Sequence, residues 1–255
     1  MAENRKIKYS IITVSYNSET FIEETIKSVL EQTYTNVEYI IIDGNSTDNT
    51  VEIVNKYINK IHYFISEPDN GMYDAINKGI KQSSGDYILI LNSDDYLSDN
   101  TTISKINEKV QHKNLNFFYC NILRKHNESY RKIKLRKYNF LNVLCSLHCT
   151  FIPHPSFFIS KIFIQQHSLT YNLKYKYASD FDYILFALKN SSQKQYTHIK
   201  LFSTVFREHP NSITSSGKID KERKQVLEQW SLYKINFLYR KYLYYKNWIQ
   251  YKIYN

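Results

Sequence analysis

Four short apolar runs in the first hundred residues, Tyr9–Val14, Tyr39–Ile42, Ile61–Ile65 and Tyr87–Leu91, are rich in β-branched and aromatic residues and lack helical spacing. Each reads as a buried strand. Between them, residues recur at helical intervals: Phe21, Ile22, Thr25, Ile26, Val29 and Leu30, then Val51, Ile53, Val54, Tyr57 and Ile58, then Met72 to Ile80. Ser46 or Thr47 is expected to cap the second of these helices. Strand and helix in alternation imply an α/β fold, a mostly parallel sheet with helices on both faces, and ligands bound at the carboxyl ends of the strands. Tyr16, Asp43 and Asp94–Asp95 all fall at such ends.

The second half breaks this rhythm. Asn116–Arg124 and Tyr130–Arg136 read as two strands around a polar turn, Ser156–Ile159 as a short strand, Tyr177–Leu188 as a helix with acids in its first turn, and Ile199–Phe206 as a last strand. No repeat or Pro/Gly/Ser-rich linker separates the halves, so one domain is expected over residues 1–216. The tail, 217–255, is distinct. After Glu228 it has no acid, and Trp230, Tyr233, Phe237, Tyr244, Trp248 and Tyr251 form an aromatic stripe flanked by Lys234, Lys241 and Lys252. Such a helix suits the headgroup region of an anionic membrane, and it equally suits packing on the body of the protein.

Composition narrows the classes. Hydrophobic content of 42% with 23% charged residues excludes global disorder. No apolar run reaches the ~18 residues of a membrane span, and no apolar segment follows the charged N-terminus as in a secretory signal. Three cysteines cannot make a disulfide framework, so reduced cytosol is the expected compartment. Cys145, His148, Cys149 and His154 lie within ten residues of one another, but their spacing fits no standard zinc pattern. A formal charge of +10 with 24 tyrosines would suit single-stranded nucleic acid. Without a metal, however, the acidic strand ends repel phosphate, and no RNA-binding motif is present, so no nucleic-acid partner is expected.

The chemistry-bearing segment is Leu91-Asn92-Ser93-Asp94-Asp95. Two carboxylates past a buried strand offer hard oxygen ligands to Mg²⁺ or Mn²⁺; taken alone, they read as a capping turn. The flanking blocks decide between the two. Ser10-Ile11-Ile12-Thr13-Val14-Ser15-Tyr16-Asn17, Ile41-Ile42-Asp43-Gly44-Asn45-Ser46-Thr47-Asp48, Glu67 through Gly79, and Gly85 through Asp95 together resemble the family-2 glycosyltransferases, which have the GT-A fold. Weaker similarity runs through His154, Ser179-Asp180-Phe181-Asp182 and Arg207-Glu208-His209 to about residue 216.

The resemblance implies a nucleotide-sugar-binding half, 1–98, and an acceptor-binding half, 99–216. It places Tyr16 against the nucleobase of the donor, with Asp43 accepting hydrogen bonds from base or ribose. Thr13, Asn70, Asn77 and Asp94 are implied as further donor contacts, and Arg207 as a partner of phosphate oxygens. Asp95, with Asp94 and His209, is implied to hold Mn²⁺ or Mg²⁺; relatives often carry a third acid where this chain has Asn92. Asp180 matches the general base of the family, and His154 and Asp182 fall on the acceptor side, although Pro155 replaces the usual Gln.

The implied reaction is inverting transfer of one sugar from a nucleoside-diphosphate sugar, expected to be a UDP-sugar, to a glycan or lipid-linked acceptor in bacterial surface-polysaccharide synthesis. The expected location is cytoplasmic, peripheral on the inner face of the plasma membrane. Two alternatives are a sugar-phosphate nucleotidyltransferase, which would want a glycine that Ser15–Ser18 lacks, and a binding protein that keeps the fold without turnover.

Overall fold

The computed structural model describes residues 6–140, 143, 152–209, 218–230 and 245. Among the described residues, nine strands form one sheet: β1 Tyr9–Ser15, β2 Val37–Asp43, β3 Tyr63–Ser66, β4 Tyr87–Ile90, β5 Tyr96–Leu97, β6 Phe117–His126, β7 Ser129–Ile133, β8 Phe157–Ser160 and β9 Tyr196–Glu208. Their order is β3-β2-β1-β4-β8-β6-β9-β5, with β7 paired to β6. β1 to β4 pair in parallel, β8 lies antiparallel between β4 and β6, and β9 runs parallel to β6. The carboxyl ends of β1 to β4, β6 and β9 therefore share one end of the sheet.

Side chains alternate across the strands and fill two cores. Ile12, Val14, Ile40, Ile42, Ile88 and Ile90 face one, with α3 (Met72–Gln82) and α6 (Ser179–Lys189) packed over them. Ile11, Tyr39, Ile41, Leu89 and Leu91 face the other, beneath α1 (Ile22–Leu30) and α4 (Thr102–Val110). Gly79 lets α3 approach the sheet closely, since a Cβ there would lie 2.5 Å from Ile12 Cγ2. The remaining helices are α2 (Thr50–Asn55), α5 (Lys161–His167) and α7 (Lys218–Gln229).

The four early strands and their helices stand where the sequence pattern put them, with two corrections. The second helix stops at Asn55, short of Tyr57 and of Ile58, which opens a separate 3-10 turn. Neither Ser46 nor Thr47 caps α2. Asp48 Oδ1 accepts from the Thr50 N–H at 3.0 Å, while the Ser46 hydroxyl is drawn to Asp43 at 2.6 Å. At the other end of the chain, Val226 and Leu227 of α7 are buried in the first core, and Trp230 packs on Phe140 and Phe186 with ring centroids 5.8 and 6.4 Å away. The aromatic stripe thus begins docked on the body. Tyr233, Phe237, Tyr244, Trp248 and Tyr251 lie outside the described residues, as do Lys234, Lys241, Lys252, Cys145, His148 and Cys149. Among the described residues, no helix is long and apolar enough to cross a membrane.

Glu38 ties the amino ends of these strands together. Burial pushes its carboxyl up, but hydrogen bonds from Ser10, Ser84 and Lys8 outweigh burial and hold it at about 2. A depressed folded-state pKa contributes stability that is present above the unfolded value and lost as pH falls through the folded one. Glu38→Gln is therefore expected to cost roughly 2 kcal/mol at neutral pH, less than the full linkage value because Lys8 is partly exposed. The cost should shrink between about pH 4.5 and 2, as read by urea unfolding across that range.

Candidate active site

Past β4 the chain turns sharply at Asn92–Asp95 and drops Asp95 into the interior, 0% exposed. Asp95 Oδ1 accepts from the Arg207 backbone N–H at 3.1 Å, while Oδ2 is buried without a partner, as is Asn92 Oδ1. Burial, and then the neighbouring Asp94 carboxylate, push Asp95 well above the usual carboxylate range. Asp94 Oδ2 meets His209 Nε2 at 2.9 Å. Thr25 on α1 locks the turn by donating to the Ser93 and Asp95 carbonyls at 2.8 and 2.7 Å.

Arg207 is anchored beside the acidic turn by two of its three guanidinium nitrogens. Its Nε donates to the Asp94 carbonyl at 2.9 Å and its Nη2 to Glu24 at 2.6 Å. The guanidinium lies 4.6 and 5.2 Å from the Phe21 and Tyr96 ring centroids. With the side chain 12% exposed, Arg207 is a strut that shapes the acidic turn.

Among the described residues, no three His, Cys, Asp or Glu side chains already converge in coordinating geometry. The donor set nevertheless fits a hard divalent ion, because a buried carboxylate oxygen with no hydrogen bond is costly unless a cation meets it. Asp94, the residue before Asp95, is paired with His209, and Asn92 has a second buried, unpartnered oxygen, a neutral one where a third acid would add charge.

The nucleotide side is built from two interlocked loops. Tyr16 is 64% exposed past the end of β1, a free aromatic face. Asn17, at φ +48°, accepts from the Thr47 N–H at 2.9 Å. Asp43 departs from its expected role. Oδ1 accepts from the Ser15 and Ser46 hydroxyls, and Oδ2 from the Ser46 N–H and the Ser66 hydroxyl, all within 2.9 Å. With four bonds on a fully buried carboxylate, no acceptor position remains for base or ribose; Asp43 fixes the loop instead. Thr13 is likewise buried, paired with the Tyr39 hydroxyl at 3.1 Å, and does not reach the donor side. Asn70 donates from its backbone and amide to Asp74 at the start of α3, at 3.0 and 3.3 Å. Asn77 brackets the backbone of Tyr171 with two bonds of 2.9 and 2.8 Å, so its amide is spent on the protein.

A second cluster forms where α3 meets α6. Asp180 is half-buried, and its Oδ1 accepts from the Tyr73 hydroxyl at 3.2 Å and from the Phe181 N–H at 2.8 Å; among the described residues nothing donates to Oδ2. Tyr73, Tyr171 and Tyr183 stack behind it, with centroids 5.6 and 4.0 Å apart. His154 is buried and its Nε2 meets the Tyr171 hydroxyl at 2.6 Å. Burial holds the His154 imidazole below its usual range, with the Asp180 charge pulling the other way. Asp182 Oδ1 accepts from Trp230 Nε1 at 2.7 Å. His154 and Asp182 each give one side-chain atom to a protein partner, and among the described residues nothing donates to Asp182 Oδ2.

Glu222 on α7 has no forerunner in the sequence reading. Its carboxylate accepts from the N–H groups of Lys176, Tyr177 and Ala178 at 3.0, 2.6 and 3.0 Å, just before α6, whose N-cap Ala178 has no side-chain acceptor of its own. Glu222→Ala is expected to destabilise the fold by about 2 kcal/mol and to lower turnover without weakening nucleotide binding, as read by urea midpoint and UDP titration.

The model of Glycosyl transferase family 2 matches residues 10–181. An uncharacterized glycosyltransferase of Haemophilus influenzae is 34% identical over 120 residues, covering 44% of this chain and 48% of that protein. The match thus spans about half the length of that relative. Among solved structures, Staphylococcus aureus TarS 1–349 in complex with UDP-GlcNAc superposes with TM-score 0.73 at 17% identity, over 93% of this chain and 70% of that one. Mannosyltransferase PcManGT of Pyrobaculum calidifontis in complex with GDP-Man and Mn²⁺ gives TM-score 0.61 at 17% identity, over 85% and 61%. The shared fold is GT-A.

Proposed function

The chain belongs to glycosyl transferase family 2, and from that premise we propose that it transfers a single sugar, with inversion, from a nucleoside-diphosphate sugar to a hydroxyl of a glycan or lipid-linked acceptor. The observation that carries this reading is Asp95 Oδ2, a buried and unpartnered carboxylate oxygen at the carboxyl end of the sheet, at the same end as Asp180. A Mn²⁺ or Mg²⁺ held by Asp95, with Asp94 and His209, would offset the charge that develops on the leaving diphosphate. Tyr16 lies against the base. Asp180 takes the proton of the acceptor hydroxyl through Oδ2 as that oxygen attacks the anomeric carbon and the bond to the diphosphate oxygen breaks from the opposite face. Tyr73 holds Asp180 in position by donating to its other oxygen.

The TarS complex with UDP-GlcNAc supports a uridine donor and a hexosyl or N-acetylhexosaminyl group, and the PcManGT complex supports Mn²⁺. In this reading the acceptor belongs to bacterial surface-polysaccharide synthesis, at the inner face of the plasma membrane. A panel of nucleotide sugars with Mn²⁺ or Mg²⁺, read by released nucleoside diphosphate, tests the proposal. Metal-dependent release from one donor is expected. Release from none of them, with no binding of UDP, would contradict it.

A further inference from the structure

Past the end of β8, β6 and β7 continue as a two-stranded ribbon. Because β6 runs in the same direction as β4, the ribbon stands at the sheet end that holds Asp94–Asp95. On one side it pairs with β9, Leu123–His126 lying against Val205–Glu208, which leads directly to Arg207 and His209. At its tip the Tyr130 hydroxyl meets that of Tyr96, the residue after Asp95, at 3.1 Å.

Residues 124–137 of this segment carry seven Lys and Arg against one acid, Glu128, so six of the chain's ten net positive charges fall within fourteen residues. Arg124 is paired with Glu208 at 3.2 Å, and Lys125 lies over the Tyr96 and Tyr130 rings at 5.8 and 5.6 Å. Arg131, Lys132 and Lys134 are exposed, and among the described residues no acid pairs with any of them. Arg124 also stands directly opposite Arg131 across the ribbon; Glu208 compensates Arg124, whereas Arg131 has no acid partner among the described residues.

We propose that this ribbon binds the acceptor, and that the acceptor is an acidic saccharide chain carrying phosphodiester or carboxylate groups. The inference rests on the transferase reading and adds to it a substrate class. The ribbon borders the strand ends, so a chain lying along it reaches the sugar-transfer site. It presents no apolar face for a bilayer: its one large exposed apolar side chain, Tyr130, is tethered through its hydroxyl to Tyr96 and covered by Lys125.

The test is fluorescence anisotropy on the full chain with four probes: a labelled ribitol-phosphate oligomer, a labelled hyaluronan oligosaccharide, labelled neutral dextran, and phosphatidylglycerol vesicles. Wild type is compared with the triple variant Arg131→Glu, Lys132→Glu, Lys134→Glu. A control variant, Lys60→Glu, Lys109→Glu, Lys113→Glu, makes the same charge change on other surfaces. At least one acidic oligomer should bind, more weakly as salt rises, and the ribbon variant should lose about tenfold or more in affinity while the control loses less than about twofold. Which acidic probe binds assigns phosphodiester or carboxylate. Acidic oligomers binding no better than dextran, equal losses in the two variants, or ribbon-dependent binding of vesicles alone would each overturn the proposal. UDP titration of the same proteins keeps the two readings apart: intact UDP binding without oligomer binding sinks the ribbon, whereas absent UDP binding sinks the transferase.

Discussion

Asp180→Asn is expected to lower the rate of sugar transfer by about 10³-fold, within the range of a lost general base, while leaving UDP affinity within about twofold. The split follows from the geometry. Asp180 belongs to the cluster with Tyr73, Tyr171 and His154, and none of the groups in the acidic turn touches it. Asn keeps the Tyr73 hydrogen bond and the helix start, so the fold survives and only proton acceptance is lost. Single-turnover assays with saturating donor would read the loss, and calorimetry with UDP the retained binding. An equal fall in UDP affinity would mean that Asp180 holds the donor, and the base assignment would fail.

Asp95→Asn has the opposite signature. Metal-supported nucleotide binding should vanish and turnover fall by about 10³-fold or more, whereas the metal-free protein should become more stable. The sign comes from the raised pKa of Asp95. A carboxyl whose folded-state pKa lies above its unfolded value weighs against the fold when ionised, so stability falls as pH rises from the unfolded value through the folded one. Asparagine removes the buried charge and with it that part of the pH dependence. A gain of about 1–3 kcal/mol is expected at neutral pH in EDTA, or a few degrees in Tm. A variant that is less stable without metal and still binds UDP with it would show that Asp95 is a structural acid.

The α/β sheet and the acidic turn were legible because they depend on patterns one residue type can carry: apolar runs without helical spacing, then carboxylates where the strand stops. What the pattern does not carry is who occupies a polar atom's lone pairs. Asp43, Arg207, His154, Asp182 and Asn77 all stand near the site, and each is held by a protein partner that is distant in sequence or hidden in backbone groups. Arg207 is a clear case, since its partner Glu24 lies 183 residues away. Glu222 escaped notice for the same reason: a lone acid on a polar helix gives no sign that it receives the start of another helix. The antiparallel insertion of β8 between β4 and β6 was also hidden, because Phe157–Ser160 reads as a strand in either direction.

Calorimetric titration of the wild-type chain with UDP, once with Mn²⁺ and once with EDTA, tests most directly whether the buried oxygen of Asp95 marks a metal-assisted nucleotide site. Binding with Mn²⁺ that weakens at least about tenfold in EDTA is the predicted result. Equal affinity in both buffers would contradict the metal assignment, and no heat of binding in either would contradict the nucleotide-sugar transferase itself.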